Sequence, residues 1–177
     1  MDASILLWIQ DYIRNDFFTP VFRTLSALGD NGIIWIAIAV VLLLYKKYRK
    51  VGFLISLSLI GSLLINNMFL KNTIARPRPY NVVPGLTRLV PALTDYSFPS
   101  GHTGSSFAAA VIIALYMPKK YGVPALILAI LIAFSRLYLG VHYPTDILGG
   151  MITGTGIALF IRFIDDNVAK RRHTDTK

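Results

Sequence analysis

Long uncharged runs alternate with short polar segments along this chain, and the alternation predicts a bundle of membrane-spanning helices. The runs lie at about 31–45, 51–70, 103–117, 123–135 and 147–161. A full crossing takes about 20 helical residues, so the shorter runs must be completed by polar neighbours or by long side chains whose charged ends reach water. Residues 1–30 follow a different rule. Ile5, Trp8, Ile9, Tyr12 and Ile13 recur at helical spacing, with Gln10, Asp11 and Arg14 on the other side, which predicts an amphipathic helix lying on the membrane surface. Thr19-Pro20 reads as the cap and first position of a second short helix, with Val21, Phe22, Leu25 and Leu28 on one face. Gly150 and Gly154 form a small-xxx-small pair suited to close helix packing.

The expected fold is therefore all-α: a polytopic membrane helix bundle of about five transmembrane helices plus N-terminal amphipathic interfacial helices. No linker or internal repeat divides the chain, so a single domain is expected over residues 1–177. Its parts would be interfacial helices at 1–30, a transmembrane bundle at 31–164 and a basic cytoplasmic tail at 165–177. The basic start and continuous apolar stretch of a cleaved signal peptide are missing.

Composition agrees. Apolar residues make up 54% and charged residues 15% of the chain, against roughly 25% charged in soluble domains. Cysteine is absent, which excludes disulfides and thiolate metal sites. A net charge of +9 invites a nucleic-acid reading, but the charges sit in the wrong places for one. Lys46, Lys47, Arg49 and Lys50 separate two apolar runs, Lys119 and Lys120 separate two more, and Lys170, Arg171 and Arg172 form a third cluster in the tail. Basic residues at alternate loops mark cytoplasmic sides. Residues 71–101 and the turn near 140–145 then fall on the opposite, extracytoplasmic face of a multi-pass plasma-membrane protein.

That face collects Lys71, Arg76, Arg78, Arg88, His102, Arg136, His142 and Asp146. Membrane-edge charges cost up to about 2.5–3.5 kcal/mol each at a helix centre and are functional by default. Several cations beside one or two carboxylates suit a bound phosphate; a metal cation would want oxygen anions or imidazoles. No metal and no cofactor are expected.

Three segments supply the details. Lys71-Asn72-Thr73-Ile74-Ala75-Arg76-Pro77-Arg78-Pro79 closes the second run, its prolines stopping the helix and holding the arginines extended. Lysine offers a compact charge and arginine a fork matched to phosphate oxygens. The plainer reading is a basic juxtamembrane stop. In Phe98-Pro99-Ser100-Gly101-His102, Ser100 is a natural N-cap, and free N–H groups at a helix start favour an anion. Gly101 lets the backbone approach a ligand, and His102 in the first turn could donate a proton to a leaving oxygen. An ordinary cap beside a surface histidine is the alternative. Third comes Ser135-Arg136-Leu137-Tyr138-Leu139-Gly140-Val141-His142-Tyr143-Pro144-Thr145-Asp146. Pro144 fits a first helical position, which puts Asp146 where its carboxylate can accept from Nδ1–H of His142 and leave Nε2 free to attack. The competing reading is an aspartate that caps its own helix.

Together these segments resemble the type 2 phosphatidic acid phosphatase superfamily, which includes membrane lipid phosphatases and vanadium haloperoxidases. The family pattern is Lys, six residues, Arg-Pro; then Pro-Ser-Gly-His; then Ser-Arg, five residues, His, three residues, Asp. Lys71, Arg78, Pro79, Pro99, Ser100, Gly101, His102, Ser135, Arg136, His142 and Asp146 meet every fixed position. Arg76-Pro77 duplicates Arg78-Pro79, and only the spacing from Lys71 selects Arg78. The resemblance implies that His142 attacks phosphorus to give a phosphohistidine, Asp146 holds its ring, and His102 protonates the leaving oxygen and then activates water. It also implies that Lys71, Arg78, Ser100, Gly101 and Arg136 bind the phosphoryl oxygens. The substrate would be a lipid phosphate met among membrane lipids, with no metal, cofactor or nucleic acid. Small bacterial relatives of this kind point to undecaprenyl diphosphate first, then to phosphatidylglycerophosphate or phosphatidate. The loop 80–97, with Tyr80, Arg88, Asp95 and Tyr96, is expected to tune that choice. A non-catalytic anion- or lipid-binding membrane protein is the reading from a different class.

Overall fold

Residues 1–174 are described by a computed structural model, which is mostly helical. Helix α1 (Asp2–Trp8) passes into a π-turn at Ile9–Ile13. Helix α2 (Phe18–Gly29) joins α3 (Ile33–Leu44) through the turn Asp30–Gly32, where Asn31 and Gly32 take positive φ. Helix α4 (Arg49–Ser62) widens into a π-helical stretch at Leu63–Leu70 and ends in α5 (Lys71–Ile74). After the short α6 (Pro79–Val82) an irregular loop leads to α7 (Gly101–Tyr116), α8 (Lys119–Tyr138) and α9 (Pro144–Thr174).

Among the described residues, four helical stretches are long and apolar enough to cross a membrane: Phe18–Leu44, Lys46–Val82, Lys119–Tyr138 and Pro144–Arg171. Gly101–Tyr116 is a shorter apolar helix. It is the most enclosed element of the bundle, packing against α4, α8 and α9 with Ala108, Ala109, Ala110 and Ile112 fully buried. Large residues such as Leu44, Phe69, Ile152 and Phe163 face outward, as they must where lipid is the solvent. The protein is a multi-pass membrane protein.

Small residues set the tightest contact. A Cβ at Gly150 would stand 2.7 Å from the Ser100 carbonyl, and one at Gly154 would stand 3.0 Å from the Ala108 nitrogen. The pair expected to allow close packing thus lets α9 lie on the backbone of α7. Three other expectations need correction. The second short helix begins at Phe18, because the Asn15 side chain accepts from the Phe18 N–H at 2.8 Å and caps it there ahead of Thr19. Part of its apolar face packs on α8, with Phe22 against Phe134 and Tyr138 at 5.3 and 4.4 Å while Val21 and Leu28 stay exposed, so α2 packs on the bundle. The final helix runs on through 165–174, with Asp165 accepting from Tyr116 at 2.9 Å and pairing with Lys50 at 2.7 Å. The end of the expected tail, 175–177, lies outside the described residues.

The N-terminal segment also does more than lie on a surface. Leu6 and Ile9 are buried, while Trp8 and Tyr12 stay exposed. Gln10 accepts from the Thr87 N–H at 2.8 Å, and Arg14 donates to the carbonyls of Thr87 and Tyr138 at 2.9 and 2.8 Å. The polar side expected to face water therefore straps the loop after α6 to the end of α8.

Candidate functional site

The turn between α8 and α9 sets the central geometry. Gly140 takes φ 73°, the Val141 N–H returns to the Arg136 carbonyl at 3.2 Å, and Pro144 starts the next helix. Arg136 and His142 thereby come from two sides of one reversal, with Asp146 a turn beyond. Asp146 is fully buried. Its Oδ2 accepts from the Tyr143 N–H at 2.8 Å and from the Ser97 hydroxyl, and stands 3.4 Å from Nδ1 of His142. On the other face of the ring, Arg78 Nη1 approaches Nε2 of His142 at 3.0 Å. A guanidinium can only donate, so Nε2 presents its lone pair and the ring proton sits on Nδ1, toward the aspartate. Burial pushes the His142 imidazole well below its usual pKa, and the charges of Arg78, Arg136 and Lys71 push the same way.

Segment 71–79 delivers two cations. Lys71, at the end of the π-helical stretch, and Arg78, in extended backbone before Pro79, are both buried. Both donate to one carboxylate, Asp95, with the Arg78 bond at 2.5 Å. Half-burial alone would raise the Asp95 carboxyl, but hydrogen bonds and charge from Lys71 and Arg78 outweigh it and hold the group at about 2. Arg78 is further fixed by donating to the Val141 carbonyl at 2.8 Å.

The start of α7 adds the remaining parts. Ser100 caps the helix, its hydroxyl accepting from the Thr103 N–H at 3.4 Å and the Thr103 hydroxyl at 3.0 Å. A Cβ at Gly101 would fall 2.8 Å from Asn67 Oδ1, so glycine lets the Asn67 side chain of the π-helical stretch lie against the start of α7. His102 turns toward α2, where its Nε2 meets Asp30 Oδ1 at 2.8 Å. Arg136, also buried, donates to the Ser26 hydroxyl, and its Nε has no partner among the described residues.

Lys71, Arg78, Gly101, His102, Arg136 and His142 line one cavity of about 780 Å³. From this polar end an apolar arm runs between α3 and α4, past Ile36, Val40, Leu59, Ile60 and Leu63. Ser100 and Asp146 stand behind the lining, one as a cap and the other behind His142. Asp30, Ser26 and Ser97 joined the site without any sign in the sequence motifs. The turn residues Asp30-Asn31-Gly32 carried the sole hint, as a break in an apolar stretch. Among the described residues no group of three or more His, Asp or Glu side chains is placed to hold a metal ion.

Such an arrangement can gather an anion, present an unprotonated imidazole nitrogen to it and offer a second imidazole nearby. Residues 50–169 match the model of the PAP2 superfamily. The chain is 35% identical over 125 residues to an undecaprenyl-diphosphatase of Sulfolobus acidocaldarius, covering 71% of this chain and 60% of that protein. It is 37% identical over 103 residues to the undecaprenyl-diphosphatase BcrC of Bacillus subtilis, covering 58% and 52%. The chain thus spans between half and two thirds of the length of these curated relatives. Among solved structures, a transmembrane PAP2-type phosphatidylglycerolphosphate phosphatase from Bacillus subtilis superposes with a TM-score of 0.77 at 28% identity, covering 94% of this chain and 85% of that one.

Proposed function

Since this chain belongs to the PAP2 superfamily, we propose that it is a membrane phosphatase that removes a phosphoryl group from a lipid headgroup through a phosphohistidine. The observation that carries this reading is the environment of His142: Arg78 Nη1 at 3.0 Å from Nε2, a buried Asp146 at 3.4 Å from Nδ1, and three cations around the same cavity. Lys71, Arg78 and Arg136 hold the equatorial oxygens, joined by the backbone N–H groups at the start of α7. Phosphate makes the bonds that Asp95 makes with Lys71 and Arg78. Nε2 attacks phosphorus in line, forming the P–N bond as the P–O bond to the lipid breaks. His102 gives its proton to the departing oxygen. It then takes a proton from the water that cleaves the P–N bond, which frees inorganic phosphate and restores His142.

The apolar arm of the cavity supports a lipid as the leaving group. Ile36, Val40, Ile60 and Leu63 along it are about half exposed on the lipid-facing surface, so a chain can enter sideways while its headgroup reaches the cations. Undecaprenyl diphosphate is the first candidate, in keeping with the named activity of two relatives. Phosphatidylglycerophosphate is the second, because a Bacillus subtilis phosphatidylglycerophosphatase B is similar over 90% of this chain at 28% identity.

Orientation follows from charge. Lys46 to Lys50 and Lys119 to Lys120 gather at one end of the bundle, where Tyr48 meets Tyr121 and Lys50 meets Asp165. That end, with the C-terminus, is cytoplasmic in a plasma membrane, and the cavity faces the outer side. The deciding experiment incubates purified protein with a panel of labelled lipid phosphates and traps the phosphoenzyme. Acid-labile label in the wild type and none in His142→Ala is the expected result. Full turnover by His142→Ala would overturn the reading.

A further inference from the structure

Arg76 duplicates the motif arginine at Arg78 but faces another way. Its guanidinium leaves the phosphate cavity, where it is not part of the lining, and reaches behind the catalytic pair. Nη1 donates to Oδ1 of Asp146 at 2.7 Å and to the Thr145 hydroxyl at 2.6 Å, and Nη2 donates to Asp2 Oδ2 at 2.9 Å. The plane of the guanidinium lies over the Tyr143 ring, 3.8 Å from its centroid.

The division of labour on Asp146 matters here. Oδ2 serves His142, Ser97 and the Tyr143 N–H, whereas Oδ1 is taken by Arg76. A carboxylate held on one oxygen alone can swing about its χ2, and the other oxygen would carry the histidine proton with it. A fork on Oδ1 fixes that plane. It also sets a positive charge beside a fully buried carboxylate, which would otherwise lie unpaired. Thr145, Asp2 and Tyr143 hold the fork from three further sides, so Arg76 is clamped in its turn.

We infer that Arg76 is a positioning residue for the reaction, fixing the Asp146 carboxylate and through it the attacking tautomer of His142, with Asp2 as its anchor. This rests on the assignment of His142 as nucleophile. It separates two arginines that the sequence could not tell apart: Arg78 binds the phosphoryl group, and Arg76 orients the group that orients the nucleophile.

The test uses the full chain in detergent or nanodiscs, with phosphoenzyme formation and steady-state turnover as readouts. Arg76→Gln should lower kcat roughly 10- to 100-fold, the range expected for loss of alignment, and slow phosphoenzyme formation by the same factor. KM should stay within about threefold, since Arg76 does not touch substrate. Arg76→Lys should recover part of the loss, and Asp2→Asn should show a smaller one. In an Asp146→Asn background Arg76→Gln should cost nothing further, because the group it acts on has gone. Unchanged kcat, a loss confined to KM, or a loss that multiplies fully on Asp146→Asn would each overturn the inference. Should Arg76→Gln not fold, Arg76→Lys and Asp2→Asn carry the test, and full activity in both overturns it. A wild type that forms no phosphoenzyme with any lipid phosphate instead defeats the phosphatase reading itself.

Discussion

Asp30 Oδ1 stands 2.8 Å from Nε2 of His102, and Asp30 lies ahead of the segment that matches the family model. The two histidines of the cavity are thus each faced by a carboxylate, Asp146 from α9 and Asp30 from the turn after α2. Replacing Asp30 with Asn keeps the shape and removes the charge. We expect kcat to fall about tenfold with KM little changed, less than the roughly 100-fold or more that a general acid–base group itself contributes, because Asp30 acts through His102. Steady-state kinetics across a substrate titration check this, and a wild-type kcat would rule Asp30 out of the reaction.

Asp95 bridges Lys71 and Arg78, the two cations that the proposed reading gives to phosphate. Asp95→Asn should therefore bind inorganic phosphate or vanadate more tightly, by about tenfold if one competing charge worth roughly 1.4 kcal/mol is removed. Inhibition constants measured side by side test it, and equal or weaker inhibition in the variant would show that Asp95 assists anion binding.

The same carboxylate makes stability depend on pH. Its folded pKa of about 2 lies below the ordinary 3.8, so the contribution is fully present above about 4 and fades as pH falls toward 2. Thermal melts should show Asp95→Asn less stable than wild type at pH 6, with the gap closing near pH 2. A gap independent of pH would mean that the ion pairs do not supply it.

For His142 the direction is also down, so the imidazole stays unprotonated as pH drops from 7 through its usual range. The acid limb of kcat/KM that belongs to this group should fall below pH 6.5. Arg78→Lys weakens the donor on Nε2, and an acid limb shifted upward in that variant is the accompanying expectation. A wild-type limb at or above 6.5 contradicts both.

Activity should persist in excess EDTA, because the cavity brings together cations with few carboxylates and the proposed reaction assigns the phosphate charge to Lys71, Arg78 and Arg136. Loss in EDTA with recovery on adding Mg2+ would contradict that.

Much of the site could be read from the sequence, since each of its three segments carries local constraints. Ser100 must cap, Pro144 must open a helix, and Lys71 and Arg78 sit where positive charge is costly. The apolar runs gave the helices for the same reason: lipid punishes every departure from the pattern. What escaped were contacts across long separations with no local pattern. Asp30 reads as a turn former, and Ser26 and Ser97 as ordinary small polar residues. Gln10 and Arg14 were placed toward water because helical spacing reports only which residues share a face. It cannot report that the face will find carbonyls in a loop some 75 residues away.

The N-terminal strap carries a consequence for biosynthesis. Residues 2–14 are synthesised before the elements they bind: Arg14 bonds the carbonyl of Tyr138, 124 positions on, and Asp2 bonds Thr145, 143 positions on. Until α9 has been made, the opening segment has nowhere to dock. A nascent chain arrested before that point should leave residues 2–14 open to protease, and completion of α9 should close them.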